Sequence, residues 1–173
     1  RFAQKEYAYA LRDLNETIKV LPEAKKDYNL YKLRAQSKFE LKDYKGSASD
    51  WSVYIDANSK DEEARISRAM ARINNNDFTN AIVDLDEAIK MNPKNPVSWC
   101  YRGLAKGSNK QVVEGIKDID HSIKLKFDYS TAYVNRAALK MASKDKQGAC
   151  EDLQKADSLG NVMAPQLYEQ YCK

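Results

Sequence analysis

The chain has 173 residues, of which 43% are hydrophobic and 31% are charged, and its formal net charge is +4. This charge is modest and acidic residues are interspersed with basic ones, whereas a nucleic-acid-binding protein usually carries a basic block or face. The sequence contains no run of about 18 apolar residues, the length that a membrane-spanning helix needs. The sequence therefore predicts neither nucleic-acid binding nor membrane insertion, and its composition suits a helical protein.

Apolar spacing and turn residues predict ten helices. Pro22 is expected to end the first helix, and Pro96 stands at a position that favours a helix start. The predicted helices cover residues 7–21, 28–41, 44–57, 62–75, 78–91, 96–108, 112–125, 130–143 and 147–159, and a last one follows the turn at Gly160 and ends at Cys172.

The start of the sequence predicts part of one more helix. Phe2 precedes Tyr7 by five residues, as Phe39 precedes Tyr44. We therefore expect Phe2 to lie in the last turn of a truncated helix. With no initiator Met and no signal-peptide pattern present, natural sequence is expected to continue upstream.

One apolar stripe recurs along the chain at a fixed period of about 34 residues. Its clearest copy is Ala81, Leu85, Ala88 and Ile89, whose spacing places them on one face of a helix. Equivalent stripes begin at Ser47, Gly115 and Ala149, and another begins at Ala10, displaced by three additional residues near 22–28. The helix before each full copy carries a matching segment at residues 31–35, 65–69, 99–103 and 133–137.

This pattern resembles the tetratricopeptide repeat, and the resemblance covers essentially the whole chain. It implies an all-α fold, a right-handed superhelical α-solenoid of about four complete helix pairs with a partial repeat before them and a capping helix after them. The single array would cover residues 1–173, with repeats at 1–24 (partial), 28–61, 62–95, 96–129 and 130–160 and the cap at 161–173. The C-terminal sequence, ACEDLQKADSLGN at residues 149–161 with YC at 171–172, also resembles repeats common in Bacteroidetes proteins. Many of those proteins are exported, which favours the bacterial cell envelope.

Two residues of opposite charge recur in the same register. Each cation precedes its anion by the same interval, which predicts one bidentate ion pair per repeat. The pairs are Arg34 with Asp50, Arg68 with Asp84, Arg102 with Asp118, and Arg136 with Asp152. Asp13 is a fifth member of the acidic series. Successive aspartates are a whole repeat apart, so a structural role is favoured over a catalytic or metal site.

A second basic series lies one helical turn further along, at Lys38, Arg72, Lys106 and Lys140. One interpretation is that these side chains lie over apolar surface with their charges in water. The other is a basic stripe for an acidic partner, whose binding would weaken with salt.

Residues 112–125 form the least regular copy, because Gly107, Gly115 and Phe127 replace larger residues or a stop residue. A glycine inside a helix costs roughly 1 kcal/mol relative to alanine. This repeat is therefore expected to be the softest.

The resemblance implies a ligand groove lined by the first helix of each pair. The residues in the lining positions are Asn29, Lys32, Gln36, Phe39, Glu63, Ile66, Met70, Ile73, Val97, Cys100, Leu104, Thr131, Val134, Ala138 and Met141. The apolar ones from Ile66 onward either form an exposed strip for a partner or pack between helices.

Chaperone-binding members of the family hold a terminal carboxylate with a clamp of lysine, asparagine and arginine. Lys32 fits that clamp, but Gln36, Ser67, Val97 and Tyr101 stand where most of the other clamp groups are expected. The sequence therefore argues against a clamp-type cochaperone.

Cys150 and Cys172 lie almost equally far from the turn at Gly160. Residues equidistant from the turn of a helical hairpin come together, so the two are either disulfide-bonded or two reduced thiols. Cys100 has no cysteine partner in this scheme, and we expect it to be a groove residue or a packing residue. His121 has no partner at metal or triad spacing, and no glycine-rich phosphate loop is present.

The sequence therefore predicts a scaffold for protein–protein interaction that binds a peptide or protein segment in its groove, rather than an enzyme, and it predicts no cofactor and no metal. The alternative is a structural or assembly module whose apolar groove packs against a second copy, as a homo-oligomer, or against another domain of the same protein.

Overall fold

The computed structural model describes residues 2–21, 23 and 26–173, with side chains described from residue 4 onward. Within that part of the chain every regular element is an α-helix. The helices are α1 (Phe2–Val20), α2 (Tyr28–Glu40), α3 (Tyr44–Ala57), α4 (Glu62–Asn74), α5 (Phe78–Met91), α6 (Pro96–Ser108), α7 (Val112–Leu125), α8 (Ser130–Ala142), α9 (Lys146–Ser158) and α10 (Ala164–Cys172). The predicted all-α repeat fold is confirmed.

The side chains of short polar residues cap α2, α3, α4, α6 and α9. The side chain of Asp43 accepts a hydrogen bond from the backbone N–H of Gly46, and that of Asp145 accepts one from Gly148. Asp27, Asp61 and Asn95 cap α2, α4 and α6 in the same way. These bonds satisfy N–H groups that the first helical turn otherwise leaves unpaired. At α7 the cap position holds Gln111, whose side chain makes no such bond.

The turn inside each helix pair uses one residue in the left-handed conformation. Lys42, Asn76, Lys110 and Lys144 have φ angles of 64°, 59°, 66° and 68°, and one of them lies in each of four successive pairs. Asparagine tolerates this conformation better than lysine does. The repeat therefore imposes its turn geometry even where the residue is poorly suited to it.

The first helix differs from its prediction. α1 runs without interruption from Phe2 to Val20, so the expected break between Phe2 and Tyr7 is wrong. Lys5 occupies the slot of the left-handed Lys42, yet it is helical. The physical reason is local, because the intervening residues are good helix formers and none of them is glycine or proline. Pro22, predicted to end this helix, lies outside the described residues.

The helices form two compact units, Arg1–Met91 and Asn92–Lys173. In the N-terminal unit each helix packs against the next from α1 to α5, and a core cluster contains Ala35, Trp51, Tyr54, Ile55 and Ala64. In the C-terminal unit α6 to α10 pack in the same sequential manner, and α6 also contacts α8. None of the described helices is long and apolar enough to cross a bilayer.

The glycines of the C-terminal unit allow close helix packing. A Cβ atom at Gly103 would lie 2.5 Å from the carbonyl oxygen of Gly115, and one at Gly115 would lie 2.5 Å from that of Gly103. A Cβ atom at Gly107 would overlap Cδ2 of Leu139. The space that a side chain would need at these three positions is therefore occupied by neighbouring atoms, and the three glycines permit tight contact between α6, α7 and α8. The expected softness of this repeat stays a prediction.

Candidate functional site

The repeated ion pairs join the two helices of each pair. Arg34 donates two hydrogen bonds to the Asp50 carboxylate, at 2.8 and 2.7 Å. The same bidentate contact recurs between Arg68 and Asp84, Arg102 and Asp118, and Arg136 and Asp152, with N–O distances of 2.6 to 2.9 Å. All four carboxylates are buried. The hydrogen bonds that Arg34 and Arg136 donate to aspartate raise the pKa of both guanidinium groups.

The second basic series contacts the same four carboxylates. Lys38 Nζ lies 2.8 Å from Asp50, and Arg72 Nη1 lies 2.5 Å from Asp84. Lys106 and Lys140 contact Asp118 and Asp152 at 2.8 and 2.9 Å. The four cations are ion-paired inside the repeat, so the interpretation that leaves their charges in water is wrong. A stripe for an acidic partner stays a prediction, but it would have to compete with these ion pairs. Each buried carboxylate is held between two cations that lie four residues apart on one helix.

Several arginines of the first series also reach the preceding repeat. Nη1 of Arg34 donates to Asn15 at 3.1 Å, and that of Arg68 donates to Ser52 at 3.1 Å. Nη1 of Arg136 donates to Asp120 at 2.7 Å. One guanidinium therefore connects three helices. The sequence hid this contact because the acceptor changes from amide to hydroxyl to carboxylate.

At one position near the start of the first helices, the side chain forms a hydrogen bond with the loop that precedes the helix. Arg65 Nη2, Trp99 Nε1 and Tyr133 OH donate to the carbonyl oxygens of the residues six positions earlier, at 2.9, 2.9 and 3.0 Å. The aromatic members also lie under an ion-paired arginine, with Arg102 4.6 Å from the Trp99 ring centroid and Arg136 5.4 Å from that of Tyr133. Arginine, tryptophan and tyrosine thus form the same hydrogen bond to the preceding loop. A search for identical residues does not find this equivalence.

The N-terminal unit contains two recesses to which the first helix α2 contributes. The α2–α4 recess has a volume of about 200 Å³ and is lined by Gln36, Phe39, Glu40, Trp51, Ser67 and Met70. The α1–α2 recess has a volume of about 460 Å³ and is lined by Glu6, Tyr7, Ala10, Asp13, Leu14, Thr17, Leu33, Gln36 and Ser37. Both linings combine apolar residues with polar and charged ones.

The C-terminal unit contains a more apolar recess. The α8–α10 recess has a volume of about 300 Å³ and is lined by Val134, Ala137, Ala138, Met141, Leu153, Leu167 and Tyr171. None of these lining residues carries a charge. A pocket of this composition suits an apolar side chain better than a charged or strongly polar one.

The predicted groove residues separate into surface and interior. Met70 and Gln36 line the α2–α4 recess, and Val134 and Met141 line the α8–α10 recess. Ile66, Cys100 and Val134 are buried, although Val134 also contributes to the lining of the α8–α10 recess. At Ile66 and Cys100 packing between helices, one of the two interpretations, describes the structure. Ile73, Val97 and Leu104 are half-buried on α4 and α6.

Lys32, the residue that fits a carboxylate clamp, lies over an aromatic ring. Its Nζ is 5.3 Å from the ring centroid of Tyr54. Tyr54 donates a hydrogen bond to Asp61 at 3.0 Å, and burial together with this bond raises the Tyr54 pKa. The Lys32 charge therefore has a cation–π contact within the N-terminal unit.

The three cysteines fall into two environments. Cys150 and Cys172 form a disulfide between α9 and α10, with their Cα atoms 5.8 Å apart. Cys100 is a free thiol with an exposed fraction of 0%, and its Sγ accepts a hydrogen bond from Asn135 at 3.3 Å. Burial raises its pKa to about 12, so the neutral thiol persists at physiological pH.

The described residues contain no cluster of histidine, cysteine and carboxylate side chains able to hold a metal ion. His121 is exposed and lies beside Trp99, with ring centroids 4.2 Å apart and an angle of 49° between the ring planes. Its neighbour is therefore an aromatic ring of α6.

No protein-family model matches the chain, and no curated protein matches it. Solved structures do match. TTC0263, a thermophilic TPR protein in Thermus thermophilus, is 14% identical with a TM-score of 0.80, covering 99% of this chain and 93% of that chain. YrrB, described as a TPR protein with an unusual peptide-binding site, is 12% identical with a TM-score of 0.69, covering 96% of this chain and 84% of that chain.

A third match is the first TPR domain of Spaghetti (RPAP3), solved with an HSP90 peptide. It is 19% identical with a TM-score of 0.58, covering 64% of this chain and 90% of that chain. At these identities the likeness defines the fold alone. The chain has the tetratricopeptide-repeat fold, as the period of its sequence predicts. The resemblance of its C-terminal end to Bacteroidetes repeats stays a prediction.

Proposed function

We propose that this chain is a protein-interaction scaffold that binds a segment of a partner protein on the first-helix face of its repeats. The observation that carries the proposal is the set of recesses beside α2, α4 and α8, whose linings include residues of the predicted groove. Two structural neighbours, YrrB and RPAP3, are described with a peptide-binding site or a bound peptide, which supports the same use of the fold.

The α2–α4 recess has the chemistry of a peptide subsite. Phe39, Trp51 and Met70 provide apolar surface, and methionine adapts to partners of different shape. Gln36 and Ser67 add groups to its lining that donate and accept hydrogen bonds. This combination suits a partner side chain that is apolar, with its backbone held by polar contacts.

The charges of the repeat limit how the partner is recognised. The eight cations of the two basic series are committed to four buried aspartates, so the first-helix face offers no free basic stripe from that source. We therefore expect apolar contacts to dominate binding. Affinity should change little with salt concentration.

The test uses matched charge substitutions inside and outside the recesses. Met70→Glu places a carboxylate in the α2–α4 recess and Met141→Glu places one in the α8–α10 recess. Val83→Glu and Val113→Glu are the controls, because these valines are 54% and 61% exposed and line neither recess. Substituting the buried Ile66 is unsuitable, because its loss would weaken folding itself.

Each tagged variant is confirmed helical by circular dichroism and then used to capture partners from source-cell lysate. We expect a partner that the parent and both valine controls retain and that at least one methionine variant loses. Equal capture by all five proteins would contradict binding through the recesses. A concentration-dependent dimer of the parent, abolished by Met70→Glu in sedimentation experiments, would instead support the assembly module.

A further inference from the structure

The last helix has little of its own to hold it in place. α10 has nine residues and its N-cap residue, Met163, makes no side-chain capping bond. Of its residues only Ala164 is buried. Isolated helices shorter than about 12 residues are marginal in water. α10 therefore depends on its contacts with the rest of the C-terminal unit.

Those contacts are mostly apolar. Leu167, Tyr168 and Cys172 are partly buried against a cluster that includes Ala149 and Leu153 of α9. Gln154 donates a hydrogen bond to the Tyr168 hydroxyl at 2.9 Å, at an exposed position. The ion pair of Lys173 joins it to Glu169, so it does not connect the two helices.

The disulfide fixes the C-terminal end of α10, whereas the connecting chain fixes only its N-terminal end. The connection from α9 enters α10 at Ala164, whereas Cys172 is the last residue of α10 and Cys150 lies in the first turns of α9. With the disulfide, α10 is fixed to α9 at both ends. Without it, α10 is tethered at one end and held by partly buried side chains.

We propose that the Cys150–Cys172 disulfide is a reversible latch, and that its reduction by a dithiol releases α10 from α9. A thiolate of the dithiol attacks one sulfur, and its second thiol resolves the mixed disulfide. The dithiol is oxidised to a disulfide, and its two electrons and two protons convert Cys150 and Cys172 into thiols. Both cysteines are only half-buried, so a reductant reaches them without unfolding the core.

The third cysteine stays out of this exchange. Cys100 is fully buried in a cluster with Ile119, Ala132 and Leu139. A buried thiol is a poor partner for thiol–disulfide exchange, because the thiolate is the reactive form. The latch is therefore a two-cysteine device.

Release of α10 changes the surface of the C-terminal unit. Leu167 and Tyr171 form one wall of the α8–α10 recess, so that recess opens when α10 leaves. Ala164 and Leu167 also cover Ala156, Tyr133 and Val134, which would gain exposure to solvent. Reduction would thus replace a bounded recess with an open apolar face.

The test is hydrogen–deuterium exchange of the whole chain, read by mass spectrometry, in the oxidised state and after dithiothreitol. Amides of residues 164–172 should exchange at least about tenfold faster after reduction, while those of α6 and α8 keep their protection. Re-oxidation should restore protection. A Cys150→Ser, Cys172→Ser double variant should show the fast exchange at once and should not respond to dithiothreitol.

Three results would overturn the proposal. One is unchanged protection of residues 164–172 after complete reduction, verified by thiol titration. Another is loss of protection throughout α8 and α9 to the same degree as α10, since the bond would then stabilise the whole unit rather than latch one helix. The last is an oxidised sample with three titratable thiols in denaturant, which would mean that the bond does not form.

Discussion

The same pair of repeat slots is filled in opposite ways in the two units. In the N-terminal unit the slots hold Phe39 on α2 and Ala71 on α4, a large residue followed by a small one. In the C-terminal unit, two repeats further on, they hold Gly107 on α6 and Leu139 on α8. Leu139 lies in the space that a side chain at position 107 would need. A repeat therefore tolerates a glycine where the next first helix supplies the missing volume.

An irregular sequence in one repeat is compatible with close helix packing. Glycine in a helix is costly when nothing replaces the lost contacts. At Gly107 and Gly115 neighbouring atoms already fill the space, and the helices approach closely as a result. The packing between helices depends on the combined side-chain volume at the two slots and not on the volume at either one.

The largest expected effect on stability concerns the buried aspartates of the ion pairs, which both units contain. Asp50→Asn and Asp118→Asn each leave two cations around a neutral side chain, and each should lower the free energy of unfolding by about 3 kcal/mol. Urea denaturation followed by circular dichroism measures it. Asp13→Asn is the control, because the side chain of this member of the series is 70% exposed and its ion pair, with Arg12, spans 3.4 Å. A cost at Asp13 equal to the others would contradict the role of the buried carboxylates.

The next largest effect on stability is specific to the C-terminal unit. Gly115→Ala inserts a methyl group 2.5 Å from a carbonyl oxygen, so it should destabilise the C-terminal unit by about 2 kcal/mol. Alanine normally stabilises a helix relative to glycine, which makes the expected sign diagnostic. The control is Ala149→Gly in the same slot, which should cost about 1 kcal/mol by helix propensity. A stabilised Gly115→Ala variant would refute the close approach of α6 and α7.

Because positions 107 and 139 share one space, substitutions at the two positions should have coupled effects on the free energy of unfolding. Gly107→Ala should destabilise the parent because of the overlap with Leu139, but it should be neutral or stabilising in a Leu139→Ala background. The double-mutant cycle should give an interaction energy of about 1.5 kcal/mol. Additive effects would mean that the two positions do not share the space.

The smallest effect concerns α7, the second helix of its pair, which lacks a cap of the Asp145 type. Gln111→Asp gives α7 a carboxylate in the slot that Asp43 and Asp145 use, and it should raise the free energy of unfolding by about 1 kcal/mol. Asp145→Gln, the reverse change on α9, should lower it by a similar amount. Thermal unfolding of both variants measures the difference.

The period of the sequence predicted most of the fold. For α2 to α9 the predicted bounds agree with the structure to within one residue, because caps, turn residues and apolar spacing recur together. α1 was different, since its start has the composition of a helix and no residue that requires a turn. Local propensity decided that region, and the repeat pattern did not.

The candidate site was less predictable. The constant interval between cation and anion indicated the arginine–aspartate pairs, but Lys38 and Arg72 look like ordinary surface cations until the helices are packed. Whether a groove slot such as Cys100 or Met70 is buried depends on the distance between helices. That distance is set by residues in other repeats, such as Leu139 beside Gly107, and one slot read alone does not contain it.

The most direct test of the scaffold proposal is photo-crosslinking from within a recess. A benzophenone amino acid replaces Ala138, an exposed residue of the α8–α10 recess, and in a second protein it replaces Val113, which lies outside it. The proposal predicts adducts with one partner protein from position 138 and none from position 113. Equal labelling from both positions would contradict it.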